Sequence, residues 1–491
     1  MNKNHICFLL IPLLLTSCSG QNNNENSGNQ KDDSHAIIKK DVTIDFLSMT
    51  DGGYLATLKS IMDSFMEEEP HVKVNIYNPL GSGNYGTLER YVVSGFFKED
   101  YPDLVQCYPD NVLKYIAHDK VIELDSYLNN ATYGIKDEED DYMDVFMSEG
   151  RAYDKEGTTY SLPFCKSTEL LYYNEDALVN LDLSSVDNTI NNGQPLTVEY
   201  LDSLTWEEFF GKLCPAIKTY NAGLDDKHKI YDDSDSSSCI LAVDSDENFF
   251  ITLAHQYGYG YTSVDENQQG SIDFGDDENL KDLMKTLKSA KDNKYLQTKG
   301  TYKTYVSELF TSKKALFTLA SNAGLTYNIP KNNAFSVGVA KIPYADGREY
   351  SSINQGPSVC ILDHDDDNRA LASYLLWKHL TNESNAAKWA ISTGYMAIRN
   401  STYTSQEYID AITTTASSTL AEITEANNFK KLAEVKDHTF NTALFKGSGE
   451  ARTCVGRLLT ACLNSQDLDA EIDNLFNEYA TEAKKHLGNN A

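Results

Sequence analysis

The sequence predicts an α/β fold, on three observations. Short runs alternate apolar with polar residues, as half-buried strands require, and stretches with apolar residues three and four apart follow them. Two such sets occur, one near the start of the folded part and one after residue 335. The chain of 491 residues is long enough for two or three domains and carries no internal repeat of the kind that builds solenoids. Strand and helix units of this length, repeated, make a mainly parallel sheet with helices on its faces.

Taken in order, the chain opens with an apolar run over residues 6–15 that leads into Leu15-Thr16-Ser17-Cys18. That run is about half of what a spanning helix needs, so residues 1–17 read as an export signal rather than an anchor helix. The Leu-x-x-Cys at its end resembles the lipobox of bacterial lipoproteins. The resemblance implies acylation of Cys18 and a protein held at the cell surface, on the outer face of the cytoplasmic membrane or its periplasmic side. Residues 18–40, rich in Asn, Ser, Gly, Asp and Lys, then read as a flexible tether.

Folding is expected from residue 41. Residues 42–49 alternate as a strand, and Leu55, Leu58, Ile61, Met62 and Phe65 then share one helical face. Residues 72–77 alternate again, followed by a Gly-rich turn, a helix over residues 88–97 and a strand over 103–108. The middle is more helical, with Leu280, Leu283, Met284 and Leu287 on one face and a polar loop over residues 225–238. Strand patterns at 335–342 and 358–362 and a helix around 371–380 form the second set. Leu468, Ile472, Leu475, Phe476 and Tyr479 mark a final packing helix.

Composition narrows function. A net charge of -31 repels nucleic acid and anionic headgroups, so neither is expected as a partner. The acidic runs at 137–141 and 363–367 read as solvated loops. The second superficially resembles a calcium loop, but it has Asn368 at the sixth position and Tyr374 at the twelfth, so no metal site is predicted. Seven cysteines follow Cys18: Cys107, Cys165, Cys214, Cys239, Cys360, Cys454 and Cys462. Their odd number and apolar settings fit buried thiols, with room for one bridged pair, and not a disulfide framework.

Gly81-Ser82-Gly83-Asn84-Tyr85-Gly86 matches a dinucleotide fingerprint between a strand and a helix. An exported protein meets few dinucleotides, so no cofactor is expected; the amides opening the helix are instead suited to an anionic or hydroxyl-rich ligand. No Gly-x-Ser-x-Gly, His-Glu-x-x-His or Cys-x-x-Cys motif occurs, and no catalytic residues are assigned. Aromatic residues make up 11% of the chain, with 31 Tyr, and tyrosine offers sugars both an apolar face and a polar tip.

Several segments resemble, in order, the extracellular solute-binding proteins (family 1) of bacterial ABC importers, of the sugar and glycerol-3-phosphate-binding lipoprotein type. Leu162-Pro163-Phe164-Cys165-Lys166-Ser167-Thr168-Glu169-Leu170-Leu171-Tyr172-Tyr173-Asn174 is similar to the family's first crossing between lobes. Thr205-Trp206-Glu207-Glu208-Phe209 resembles its Thr-Trp helix start, with Thr205 as N-cap. Residues 315–324, with Ala320-Ser321-Asn322, resemble the segment that brings a serine to the cleft. Gln355-Gly356-Pro357-Ser358 and Thr393-Gly394-Tyr395-Met396-Ala397 are similar to its late signatures.

The resemblance implies a two-lobed periplasmic-binding-protein-like fold with a ligand cleft between the lobes. Lobe 1 would comprise 41–163 plus 351–395, and lobe 2 would comprise 168–347 plus 399–491. Residue by residue, the family's glycerol-3-phosphate receptor implies Tyr85, Ser167, Trp206, Ser321, Gly356 and Tyr395 as ligand-binding. Asp110 stands beside the position of its glutamate, which falls on Pro109, and Lys166 adjoins Ser167. Its arginine falls on Arg452 or Arg457, and an arginine fork suits a phosphate. The implied function is capture of a small-molecule solute, a carbohydrate first and glycerol-3-phosphate or a glycerophosphodiester second, for delivery to an ABC permease. A surface glycoside hydrolase or an adhesin on the same fold are the rival classes.

Overall fold

The computed structural model describes residues 35–81 and 85–488. Cys18 and the export signal lie outside the described residues, as do 82–84 of the Gly-rich turn. Two five-stranded sheets organise two lobes. The first runs, in spatial order, Val72–Tyr77, Val42–Leu47, Leu104–Cys107, Ser358–Ile361 and Leu162–Pro163. The second runs Val337–Ala340, Glu169–Asn174, Phe317–Ser321, Leu241–Val243 and Leu296–Thr298.

The sheets are mixed rather than mainly parallel. Where a helix connects neighbouring strands, as from Val42–Leu47 through Gly52–Glu68 to Val72–Tyr77, the pairing is parallel. Where the chain arrives directly from the other lobe, it enters against its neighbours. Ser358–Ile361 is antiparallel to Leu104–Cys107, and Glu169–Asn174 is antiparallel to both Phe317–Ser321 and Val337–Ala340. The inter-lobe crossings, absent from a simple repeat of strand and helix units, are the physical source of the difference.

Helices cover the sheets as the apolar faces require. Leu58, Ile61, Met62 and Phe65 of Gly52–Glu68 are all buried, and this helix packs on Asp367–Leu380 and Glu383–Thr393. In the other lobe, Ser448–Asn464 packs against Asp246–Tyr257 and Leu468–Lys484. Thr205 caps its helix as expected, in a reciprocal capping box with Glu208. All seven described cysteines are buried free thiols, and Cys107 Sγ lies 3.6 Å from Cys360 Sγ on the neighbouring strand. Among the described residues, no helix is long and apolar enough to cross a membrane, and no group of three His, Cys, Asp or Glu side chains converges to hold a metal ion.

Candidate ligand cleft

Residues 164–168 lie between two other strands of chain. Ser167 and Gln355 exchange backbone hydrogen bonds, each of 2.9 Å, and the Cys165 amide donates to the Pro357 carbonyl at 2.9 Å. On the other side the Met396 amide donates to the Lys166 carbonyl at 2.7 Å. Gly356 makes this approach possible. Its φ of +97° lies where side chains are strained, and a Cβ there would sit 2.0 Å from the Cys165 carbonyl oxygen.

Beside these segments opens a cavity of about 410 Å³. Parts of the stretches 85–90 and 108–114 line it from the first lobe and parts of 442–454 with Glu482 and His486 from the second, together with Glu149 and 354–356. Its carboxylates are Glu89, Asp110, Glu149, Glu450 and Glu482, against the permanent cations Arg90, Lys114 and Arg452. Lys114 is already bonded to Glu89 at 3.0 Å and to Glu450 at 3.1 Å, while Glu149 is paired with Lys166 and Glu482 with Arg457, so the carboxylates of the lining are largely matched by cations.

Four of the expected residues meet here: Tyr85, Asp110, Gly356 and Arg452. Tyr85 opens the helix Tyr85–Phe96 and stands edge-on to Tyr108, with ring centroids 4.7 Å apart. Burial pushes the Tyr85 phenol well above its ordinary range, and the neighbouring phenols of Tyr395 and Tyr108 add to the shift. Asp110 lies in the first turn of Pro109–Ile116 and accepts a hydrogen bond from the Ser448 hydroxyl, joining the two lobes. Burial raises its carboxyl above the ordinary value, although Ser448 and Arg452 pull it back. Arg452 donates from Nη2 to Asn248 Oδ1. Arg457 is bonded to Glu482 at 2.6 Å, lies over the Tyr479 ring and does not line this cavity.

The other expected residues stand elsewhere. Lys166 is fully buried and donates to Glu149 Oε2 and to the Gly356 carbonyl, so its ammonium joins the crossing segments and is not open to a ligand. Ser167 is buried and fixes the backbone ladder with Gln355. Ser321 caps the turn Asn322–Gly324, its hydroxyl accepting from the Ala323 amide at 3.3 Å. Tyr395 stacks on Trp389 with centroids 6.4 Å apart and does not line this cavity, although it lies near enough to perturb Tyr85. Trp206 departs furthest from expectation. It is 3% exposed in the core of the second lobe, stacked on Phe210 at 5.7 Å, with its indole donating to Gln256 at 2.8 Å. The first position of a capped helix here points inward, and an aromatic ring there fills the core.

Sequence reasoning missed Tyr108, Glu149, Glu169, Asn248, Asn354 and Gln355. Glu169 had a signal, a carboxylate heading the otherwise apolar strand Glu169–Asn174, every residue of which is buried. Burial pushes its carboxyl up to about 8, against the pull of Asn248 and Arg452, and its Oε2 has no hydrogen-bond partner. Near pH 7 it is held largely as the neutral acid.

Comparison with known proteins accords with this layout. The chain matches the family described as bacterial extracellular solute-binding protein over residues 60–416. No curated protein matches the sequence. Among solved structures, UgpB from Mycobacterium tuberculosis in complex with glycerophosphocholine is similar, with a TM-score of 0.67 and 16% identity over 91% of this chain and 98% of that one. Maltose-bound MalE3 from T. maritima aligns with a TM-score of 0.64 and 16% identity, over 90% and 99%. The cyclic alpha-maltosyl-1,6-maltose binding protein from Arthrobacter globiformis gives 0.63 and 14%, over 89% and 99%. At these identities the likeness is one of fold: two lobes with a cleft between them.

Proposed function

Because the chain belongs to the bacterial extracellular solute-binding proteins, we propose that it captures a carbohydrate, a sugar or oligosaccharide, by lobe closure and hands it to an ABC permease. The observation that carries this reading is the chemistry of the cavity. Tyr85 and Tyr108 present apolar ring surface, and amides and carboxylates supply partners for hydroxyls. Two of its three cations, Lys114 and Arg452, are already engaged by Glu89, Glu450 and Asn248, which favours a neutral polyol over an anion. Closure would draw its energy from contacts that both lobes make to the solute only when shut.

Arg452 supports a second reading, a glycerophosphodiester or glycerol-3-phosphate, since a guanidinium at a cavity can hold a phosphate. Glycerophosphocholine is the ligand of one structural neighbour. In this chain the arginine is engaged by Asn248. Calorimetric titration of the Ser19–Ala491 fragment with saccharides and with phosphate esters separates the two. The first reading predicts reversible 1:1 binding of a saccharide that is recovered unchanged; binding of phosphate esters alone would replace it with the second.

The proposal extends to anchoring through acylated Cys18 and to a lobe division of 41–163 plus 351–395 against 168–347 plus 399–491; the tether expected over 18–40 ends earlier, because Ile38 is buried in the first lobe's core and the Ile37 and Ile38 amides donate to the Glu69 carboxylate. Binding and release require no covalent step, which sets this reading apart from a surface hydrolase.

A further inference from the structure

Two consecutive side chains in the cavity carry polar atoms without protein partners. Asn354 and Gln355 both line it, and Asn354 is 5% exposed. Asn354 Oδ1 and Gln355 Nε2 are buried with no hydrogen-bond partner. A buried polar atom left unpaired is costly, and such groups in a cavity are matched by whatever fills it.

Which atom of each amide is free follows from the neighbours. Arg452 can only donate, so the Asn248 atom facing it is the oxygen. Asn248 therefore offers its Nδ2 to Gln355, 2.5 Å from Oε1. That leaves Gln355 Nε2 as the open group, a donor. On the other side, Glu149 only accepts, and Asn354 Nδ2 lies 3.3 Å from its Oε1. Asn354 Nδ2 also donates to Asn441 Oδ1 at 2.5 Å, and Asn441 is itself fixed by donating to the Val145 carbonyl at 2.6 Å. The open atom of Asn354 is thus an acceptor. Both backbones are pinned, Asn354 by the Phe440 carbonyl at 2.8 Å and Gln355 by Ser167 at 2.9 Å.

We propose that Asn354 and Gln355 form a diol subsite, Asn354 Oδ1 accepting from one ligand hydroxyl while Gln355 Nε2 donates to its neighbour. The assignment rests on the solute-binding reading above and names the group it recognises. An open donor beside an open acceptor matches hydroxyls, which do both, and mismatches a phosphate oxygen, which only accepts. Arg452 then acts as a positioning residue, setting the amides through Asn248. A pyranose ring and the glycerol end of a glycerophosphodiester both carry vicinal hydroxyls, so the shared chemistry is the diol.

The test titrates maltose, maltotriose and glycerophosphocholine into the wild-type Ser19–Ala491 fragment and into the Gln355→Met, Gln355→Glu and Asn354→Ser variants, with thermal unfolding as a folding control. Gln355→Glu keeps the oxygen that Asn248 holds but puts a carboxyl oxygen where the donor stood, so it tests the donor with the Asn248 contact intact, and Gln355→Met tests it without an added carboxyl. Each folded variant is expected to bind the probe taken by the wild type about 10-fold more weakly, the loss of one buried hydrogen bond. A monodeoxy analogue of that probe, lacking the hydroxyl at Gln355, should cost the wild type about 10-fold and cost Gln355→Met nothing further. Saccharide binding identifies a sugar diol; binding of glycerophosphocholine alone moves the same subsite to a glycerol end and overturns the carbohydrate reading only. Equal affinities in wild type and folded variants overturn the subsite and leave solute binding intact. Binding of none of the three probes by the wild type overturns both.

Discussion

Replacing Lys166 by Met isolates the interaction that ties the crossing segments together. Lys166 has no exposed side-chain surface, and its partner Glu149 keeps 8%. The ammonium serves Glu149 Oε2 and also the Gly356 carbonyl, so one substitution strips a buried carboxylate of its countercharge and a carbonyl of a donor. Glu149 would retain only Asn354 Nδ2 and Ser358 Oγ, each at 3.3 Å, long contacts that compensate weakly. Breaking one half of a buried pair costs about 3–5 kcal/mol. With little left to solvate the carboxylate, we expect about 4 kcal/mol for Lys166→Met in urea unfolding. Glu149→Gln in the same chain should restore about half of it, because the residual charge is gone. A Lys166→Met loss below about 1 kcal/mol, or a double variant no more stable than the single one, would refute the reasoning that this pair is closed to water.

Other outcomes follow from the same geometry. Gly356→Ala forces a Cβ against the Cys165 carbonyl at a positive φ and should destabilise by at least about 2–3 kcal/mol in the same assay. Trp206→Ala should lower stability by about 3–5 kcal/mol through lost core packing, while affinity measured below the unfolding transition changes little. Glu169 has its carboxyl raised to about 8, so the folded state holds a proton that the unfolded state releases near pH 4.3. Its contribution is full below that pH and is lost as pH rises through 8; Glu169→Gln should flatten the stability profile between pH 5 and 8. For Asp141, burial pushes the carboxyl up, but hydrogen bonds from Ser401 and the Arg399 guanidinium outweigh it and hold it below its ordinary value. Its contribution is present above about pH 4 and lost in more acid solution, a loss that Asp141→Asn should abolish.

What could be read from the sequence was local. The apolar faces of Gly52–Glu68 and Leu468–Lys484 and the capping box at Thr205 are set by residues within a few positions of one another, and they stand where their patterns placed them. Pairings across the chain left no such trace. Ser448 reaches Asp110 and Arg452 reaches Asn248 from sequence separations of 338 and 204, and neither partner is marked by its neighbours. Residue type misled at Trp206, because a large aromatic ring suits a core as well as a sugar face. Lys166 misled for a related reason: beside Ser167 a lysine suggests ligand contact, but Glu149 turns it inward. The direction of the return strands depended on where the chain changes lobe, a property of topology that strand periodicity does not contain.

The measurement closest to the central claim is calorimetric titration of the unlipidated Ser19–Ala491 fragment with saccharides and phosphate esters, followed by mass analysis of the recovered ligand. The account predicts one equivalent of a neutral saccharide, bound reversibly and released unchanged. Binding confined to phosphate esters, or a saccharide recovered cleaved, would contradict it.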